Sequence, residues 1–238
     1  MHTLFIADLH LDPAHPASLN RFHQLLNSNP RHLDALYILG DLFEFWIGDD
    51  ALTSELSPTL PLIKQFTQNI APIFLIHGNR DFLLGEDFAT KTGIRYLPEE
   101  HIIDLYGQKA LLMHGDTLCT DDNDYQAFRC KVRNPEWQTG FLALSIADRQ
   151  HMANEARTVS KQLNREKPAD ILDVNQQATI RTMEKHHSCL LIHGHTHRPA
   201  VHQMSIHGKP GRRFVLGAWH ATATIVKASK NKIILLDI

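Results

Sequence analysis

The stretch Cys189-Leu-Leu-Ile-His-Gly-His-Thr-His197 is a short apolar run that breaks into a glycine set among histidines. Four or five apolar residues closed by turn-formers read as a buried strand. The same design occurs four times upstream. Residues 3–7 lead into Asp8-Leu-His10, residues 36–39 into Gly40-Asp41, residues 72–76 into His77-Gly-Asn-Arg-Asp81, and residues 109–113 into His114-Gly-Asp116. Between these runs lie residues at helical spacing, such as Leu19, Phe22, Leu25 and Leu26, or Leu60, Ile63, Phe66 and Ile70. Strands alternating with helices imply βαβ units on a parallel or mixed sheet. In such a sheet the residues just beyond the carboxyl ends of the strands converge on one crevice.

The remainder divides in two. Residues 121–185 are polar and helical in pattern, with no convincing strand. After the final histidine motif, apolar runs at 213–216, 222–226 and 232–236 are separated by the turn signals Gly208-Lys-Pro-Gly211 and Ser229-Lys-Asn231. The tail therefore reads as an antiparallel sheet. The whole predicts one α/β domain over residues 1–238, two sheets covered by helices, with a helical insertion at about 121–185. A chain of 238 residues can bury a substantial core.

Charge and cysteine content exclude several classes. Lys+Arg number 24 against 26 Asp+Glu, a net charge of −2, which excludes proteins that coat polyanions through a large positive excess. Cys119, Cys130 and Cys189 form no C-x-x-C pair, so a disulfide framework and a zinc ribbon are excluded and a reducing cytosol is expected. No cationic leader opens the sequence, and no apolar run reaches the roughly 18 residues that span a bilayer. A cytoplasmic protein is expected, with peripheral membrane attachment left open.

The residues at the strand ends are carboxylates, imidazoles and one amide, with no thiolate. A mixed oxygen and nitrogen set suits divalent metals such as Mn²⁺ and disfavours a thiolate zinc site. The set is too large for one ion but serves two if a carboxylate bridges them. Two metals about 3.5–4 Å apart can share a water, lower its pKa and clamp the oxygens of a phosphoryl transfer.

These blocks, D-x-H, G-D, G-N-R-D, H and G-H-x-H in order from Asp8 to His197, resemble the calcineurin-like metallophosphoesterases. The resemblance implies a four-layer α/β/β/α sandwich and a two-metal phosphoester hydrolase whose nucleophile is a metal-bridging hydroxide. By position it implies that Asp8, His10, Asp41 and His197 hold one metal. Asp41, as the bridge, would hold the other with Asn79, His114 and His195. Where the wider family usually has histidine after the asparagine, this chain has Arg80. Arginine is a permanent cation whose fork suits two phosphate oxygens, so Arg80 is expected to stabilise charge during catalysis.

Gly-Asn-Arg-Asp and the length of the chain resemble the branch of the family that cleaves UDP-2,3-diacylglucosamine in bacterial lipid A biosynthesis. That branch implies substrate binding by Asn79, Arg80, Asp122, Ser160, Asn164, Lys167 and His195. It also implies two Mn²⁺ per subunit and peripheral contact with the cytoplasmic face of the inner membrane. His195 or a metal-bound water would protonate the leaving phosphate, unless no acid is needed.

The insertion has signals of its own. Residues 125–167 carry eight cations against four anions. Such an excess suits an anionic ligand or membrane surface, and equally a solvated helical face. Met152, Ala156, Val159 and Leu163 form an apolar stripe beside a polar one of Arg157, Ser160, Asn164 and Lys167. Trp46, Leu83, Tyr125, Phe128, Phe141 and Arg157 are candidates to line a lid over acyl chains. The metal set alone does not separate this reading from another two-metal hydrolase, such as a dinucleoside polyphosphate hydrolase. A turnover-free scaffold would have a degenerate ligand set, whereas this one is complete. No basic stripe interleaved with aromatics marks a nucleic-acid groove.

Overall fold

The computed structural model describes residues 1–168, 171–220 and 222–238, without the side chains of Lys161, Asn164, Arg165 and Glu166. The chain opens as β1 (His2–Ile6), α1 (Pro16–Asn27), β2 (Leu33–Leu39), α2 (Thr59–Asn69), β3 (Ile73–Ile76), α3 (Glu86–Thr92) and β4 (Arg95–Leu97). The hairpin β5 (His101–Leu105) and β6 (Gln108–Leu112) follows. Four helices come next: α4 (Asn123–Val132), α5 (Pro135–Leu142), α6 (Ile146–Glu166) and α7 (Gln176–Lys185). The last strands are β7 (Leu190–His193), β8 (Ala200–Ile206), β9 (Lys209–Val215), β10 (Thr224–Ser229) and β11 (Lys232–Asp237).

Two mixed sheets result, ordered β11-β10-β1-β2-β3-β4 and β5-β6-β7-β9-β8. Strand alternation sorts side chains between layers. Phe5 and Ala7 meet Leu112, Ile192 and Phe214 in the core between the sheets. Leu4 and Ile6 point the other way, to Phe22, Ile63, Phe66 and Phe88 of α1–α3. On the far face of the second sheet, Leu111, Met113 and Leu191 pack on Met183 of α7. The layers are thus helix, sheet, sheet, helix, the four-layer sandwich expected.

The tail departs from expectation. It does not form one antiparallel sheet: β8 and β9 pair with each other and β9 runs parallel to β7, whereas β10 and β11 join β1 in the other sheet. Local alternation identifies a strand but not its partner. Of Gly208-Lys-Pro-Gly211 only Gly208 lies in the turn, and the other three residues already belong to β9. Pro210 is tolerated because β9 pairs with β7 only from Arg212 onward, leaving that edge open. Strands β4, β5 and β8 had no counterpart in the sequence reading.

The helices between β6 and β7 are tied to the site's margin. Phe141 is buried in the α1–α3 core with Trp137 against it. Arg149, 2% exposed, donates from Nη1 to the Ile47 carbonyl (2.5 Å) and to Asp50 Oδ1 (2.8 Å). Among the described residues no helix is long and apolar enough to cross a membrane.

Phe5 is fully buried between the sheets and stacks on Tyr37 at 5.1 Å. Phe5→Ala is expected to cost about 3–5 kcal/mol in urea unfolding, and a loss under about 1 kcal/mol would contradict a close-packed inter-sheet core.

Candidate metal centre

The β1–β2 ladder does not stop where the strands end. Asp8 N–H donates to the Gly40 carbonyl (3.1 Å), His10 N–H to Asp41 (3.0 Å) and Leu11 N–H to Leu42 (2.9 Å). The D-x-H and G-D loops therefore run side by side. A second stitch comes from Asp81, whose buried carboxylate accepts from Leu42 N–H (2.7 Å) and Gly78 N–H (2.8 Å). That fixes the G-N-R-D loop against the G-D loop.

The carboxylates are seated against backbone. Arg80 N–H donates to Asp41 Oδ1 (2.8 Å), and His195 N–H lies 2.9 Å from Asp8 Oδ2. Two motif glycines are needed for this approach: a Cβ on Gly78 would stand 2.1 Å from Asp41 Oδ1, and one on Gly194 would stand 2.3 Å from Asp8 Oδ2. Asp8, His10, Asp41, His195 and His197 all have left-handed backbone, with φ of 55°, 48°, 52°, 70° and 55°. Non-glycine residues rarely adopt it, and such strain clusters at functional sites.

The expected ligands converge in two groups. In one, His10 Nε2 and His197 Nε2 are 3.1 Å apart and Asp8 Oδ1 is 3.4 Å from His197 Nε2. In the other, Asn79 Oδ1 is 3.0 Å from both His114 Nε2 and His195 Nδ1. Asp41 Oδ2 stands between them, 3.9 Å from His10 Nε2 and 3.7 Å from His114 Nε2. Donor atoms of Asp8, His10 and His197, and again of Asp8, Asp41 and His114, lie within 4.8 Å of one another, so Asp8 is common to both triads. His114 Nδ1 donates to the Leu39 carbonyl (2.8 Å), which turns Nε2 into the site.

Electrostatics favour a cation. Burial opposes ionisation of Asp8, yet the imidazoles of His197, His114 and His10 outweigh it and hold that carboxyl below its ordinary range. Asp41 is raised by burial, with the carboxylates of Asp81 and Asp8 adding to the effect. Burial opposes the charge on His114 too, but Asp41 and Asp8 raise it to about 9. His195 falls to about 4 through burial and the neighbouring His114. Two buried carboxylates among imidazoles are suited to a divalent cation taken up in exchange for protons, and the oxygen and nitrogen donors fit such an ion.

The other expected residues lie in the insertion, except Trp46 and Leu83, which follow β2 and β3. Asp122 caps α4, accepting from Tyr125 N–H (3.1 Å), and its Oδ1 pairs with Lys167 Nζ (2.6 Å). Ser160 is exposed on α6, and the side chain of Asn164 lies outside the described residues. Phe128 is exposed, whereas Trp46, Leu83 and Phe141 are buried in the α1–α3 core. Tyr125 sits 5.8 Å from the His195 ring and donates to Asp116 Oδ2 (2.9 Å), which also accepts from Arg129 Nε (2.7 Å).

Four residues beside the centre were not singled out from sequence: Glu44, Asp81, Asp116 and His220. Asp81 and Asp116 stand inside motifs as their last letters, so the signal was present. His220 stacks 5.8 Å from the His10 ring, and Glu44 lies 2.9 Å from His10 Nδ1; neither belongs to a recognisable motif.

The family model for calcineurin-like phosphoesterases matches residues 1–199. The chain is 51% identical over 236 residues to the UDP-2,3-diacylglucosamine hydrolase of Salmonella typhi, spanning 99% of this chain and 98% of that protein. The same identity and spans hold for the protein of that name from Salmonella arizonae. The chain belongs to the calcineurin-like phosphoesterase family and is a hydrolase.

Two outcomes are expected. Mn²⁺ affinity, measured by calorimetry in buffers of differing ionisation enthalpy, should rise from about pH 6.5 to about pH 8.5 with proton release, because His114 must give up its proton to bind; a flat profile would count against His114 as a ligand. Gly78→Ala should displace Asp41 and weaken Mn²⁺ binding about 10–100-fold while the fold persists by circular dichroism.

Proposed function

We propose that this hydrolase cleaves the diphosphate of UDP-2,3-diacylglucosamine to UMP and 2,3-diacylglucosamine 1-phosphate (lipid X) in lipid A biosynthesis. The observation that carries the reading is the 51% identity, over 99% of the chain, to a relative bearing that substrate in its name. The complete donor set supports it. In this reading two Mn²⁺ are held, one by Asp8, His10, Asp41 and His197, the other by Asp41, Asn79, His114 and His195. When bound, such a pair supplies a deprotonated water and neutralises charge on the phosphoryl oxygens.

The chain's own side chains do the rest. Arg80, its main chain anchored on Asp41, presents a permanent cation to the equatorial oxygens as charge grows on them. Water oxygen bonds to the phosphorus on the uridine side as the bond to the bridging oxygen breaks. UMP keeps the new oxygen and the lipid phosphate leaves. A phosphate leaves as a stable anion, so the reading requires no proton donor; His195 or a metal-bound water would be the candidates, and burial, which lowers His195 to about 4, argues against the imidazole.

The helical insertion serves as the lid of this reading. Asp122 and Lys167, with Ser160 and Asn164 on α6, would grip the sugar and phosphates. Leu142, Leu144, Ile146, Met152, Val159 and Leu163 are exposed on and between α5 and α6. An apolar face beside basic residues suits acyl chains and the cytoplasmic surface of the inner membrane. In this reading Phe128, Tyr125 and Arg157 would line its margin. Trp46, Leu83 and Phe141, being buried, would form its floor.

The test is a product assay by mass spectrometry with Mn²⁺, offering a UDP-2,3-diacylglucosamine and, separately, a bis(nucleosidyl) tetraphosphate. UMP from the first and no product from the second is expected; the reverse would identify a dinucleoside polyphosphate hydrolase. Arg80→Ala should lose on the order of 10²–10³ in rate while still binding Mn²⁺. Replacement of residues 121–167 by a short linker should abolish lipid turnover, and activity that survived it would remove the lid from the reading.

A further inference from the structure

Glu44 stands three residues beyond Asp41, on the loop that continues the β1–β2 ladder. Its main-chain N–H donates to the Leu11 carbonyl (3.2 Å), so it is fixed to the residue that follows His10. Its carboxylate, 13% exposed, meets groups from three parts of the chain. Oε2 lies 2.9 Å from His10 Nδ1. Oε1 lies 2.6 Å from Arg157 Nη2 of α6 and 3.6 Å from Arg80 Nη1 of the G-N-R-D loop.

We propose that Glu44 is a positioning residue that couples α6 to the metal centre, aiming His10 into the site while gathering Arg80 and Arg157 on its other oxygen. It rests on the reading that His10 holds a metal. A ring nitrogen bound to a carboxylate fixes the tautomer and orientation of a ligating histidine and raises its basicity. Here Nδ1 stands 2.9 Å from the Glu44 carboxylate as a close charge contact without an aligned hydrogen bond, and Nε2 faces His197 and Asp41. A guanidinium has five donors, so each arginine keeps most of its fork free for a phosphate while Oε1 holds it at the rim. The carboxylate offsets one of these two positive charges, which lowers the repulsion an incoming metal would meet. Arg157 belongs to the insertion and His10 to the D-x-H loop, and Glu44 contacts both.

The test is Mn²⁺ binding to the full chain, followed by the electron paramagnetic resonance signal of free Mn²⁺, without substrate. Glu44→Gln should weaken binding about 10–100-fold at one site and leave the other unchanged. Its melting temperature in EDTA should equal that of the wild type. Arg157→Ala should alter Mn²⁺ affinity in the wild-type background and have no effect on it in Glu44→Ala, since the coupling runs through that carboxylate. Unaltered Mn²⁺ affinity in Glu44→Gln and Glu44→Ala, with normal wild-type binding, would overturn the proposal alone. So would a fall in melting temperature in EDTA matching the loss of affinity, which marks a merely structural role. A wild type that binds no Mn²⁺ would overturn the metal centre and this proposal together.

Discussion

Main-chain hydrogen bonding that outruns the strands is the constraint on which the centre depends. A parallel ladder normally ends with its strands, leaving loops to wander. Here it continues from Asp8 to Leu11 against Gly40 to Leu42, so two loops bearing three expected ligands hold a common register. Ligand geometry is thereby set by backbone, with little left to side-chain rotamers. Such pre-organisation matters because buried carboxylates gathered without a cation repel each other, and only a rigid scaffold keeps them together.

Each of the other loops is referred to this pair. Asp81 draws in the G-N-R-D loop, the His195 amide closes on Asp8, and His114 hangs from the Leu39 carbonyl. The helical insertion follows the same rule at longer range, through Arg149 to Ile47 and Asp50, and through Arg157 to Glu44. The two sheets supply the rigid frame, and their shared core of Phe5, Leu112, Ile192 and Phe214 lies directly beneath the strand ends. Stability and chemistry are spatially stacked, so the strained loops rest on a fully buried inter-sheet core.

Much of this was legible in the sequence where strands are buried on both faces. β1, β2, β3, β6 and β7 each carry a run of at least three consecutive apolar residues and are read to within a residue or two, except for the start of β2. β8 was missed because it is a largely exposed edge strand, Ala-Val-His-Gln-Met-Ser-Ile, with no apolar run. β5 is half-exposed and β4 only three residues long. The partners of β10 and β11 were illegible for a different reason: pairing across sheets is decided by the whole fold. At the site, residues inside motifs could be read, but Glu44 and His220 reach the centre through topology, and no spacing rule announces that.

The left-handed backbone at Asp8, His10, Asp41, His195 and His197 narrows what divergence can do to this centre. A replacement must both donate to a divalent cation and tolerate that conformation. Glutamate meets the first condition and strains the second; glycine does the reverse. Aspartate, asparagine and histidine are the short polar residues that satisfy both. If these residues hold metal, preference would drift only by exchange within that trio, and a lineage that abandoned metal binding would be free to leave glycine at these positions as its trace.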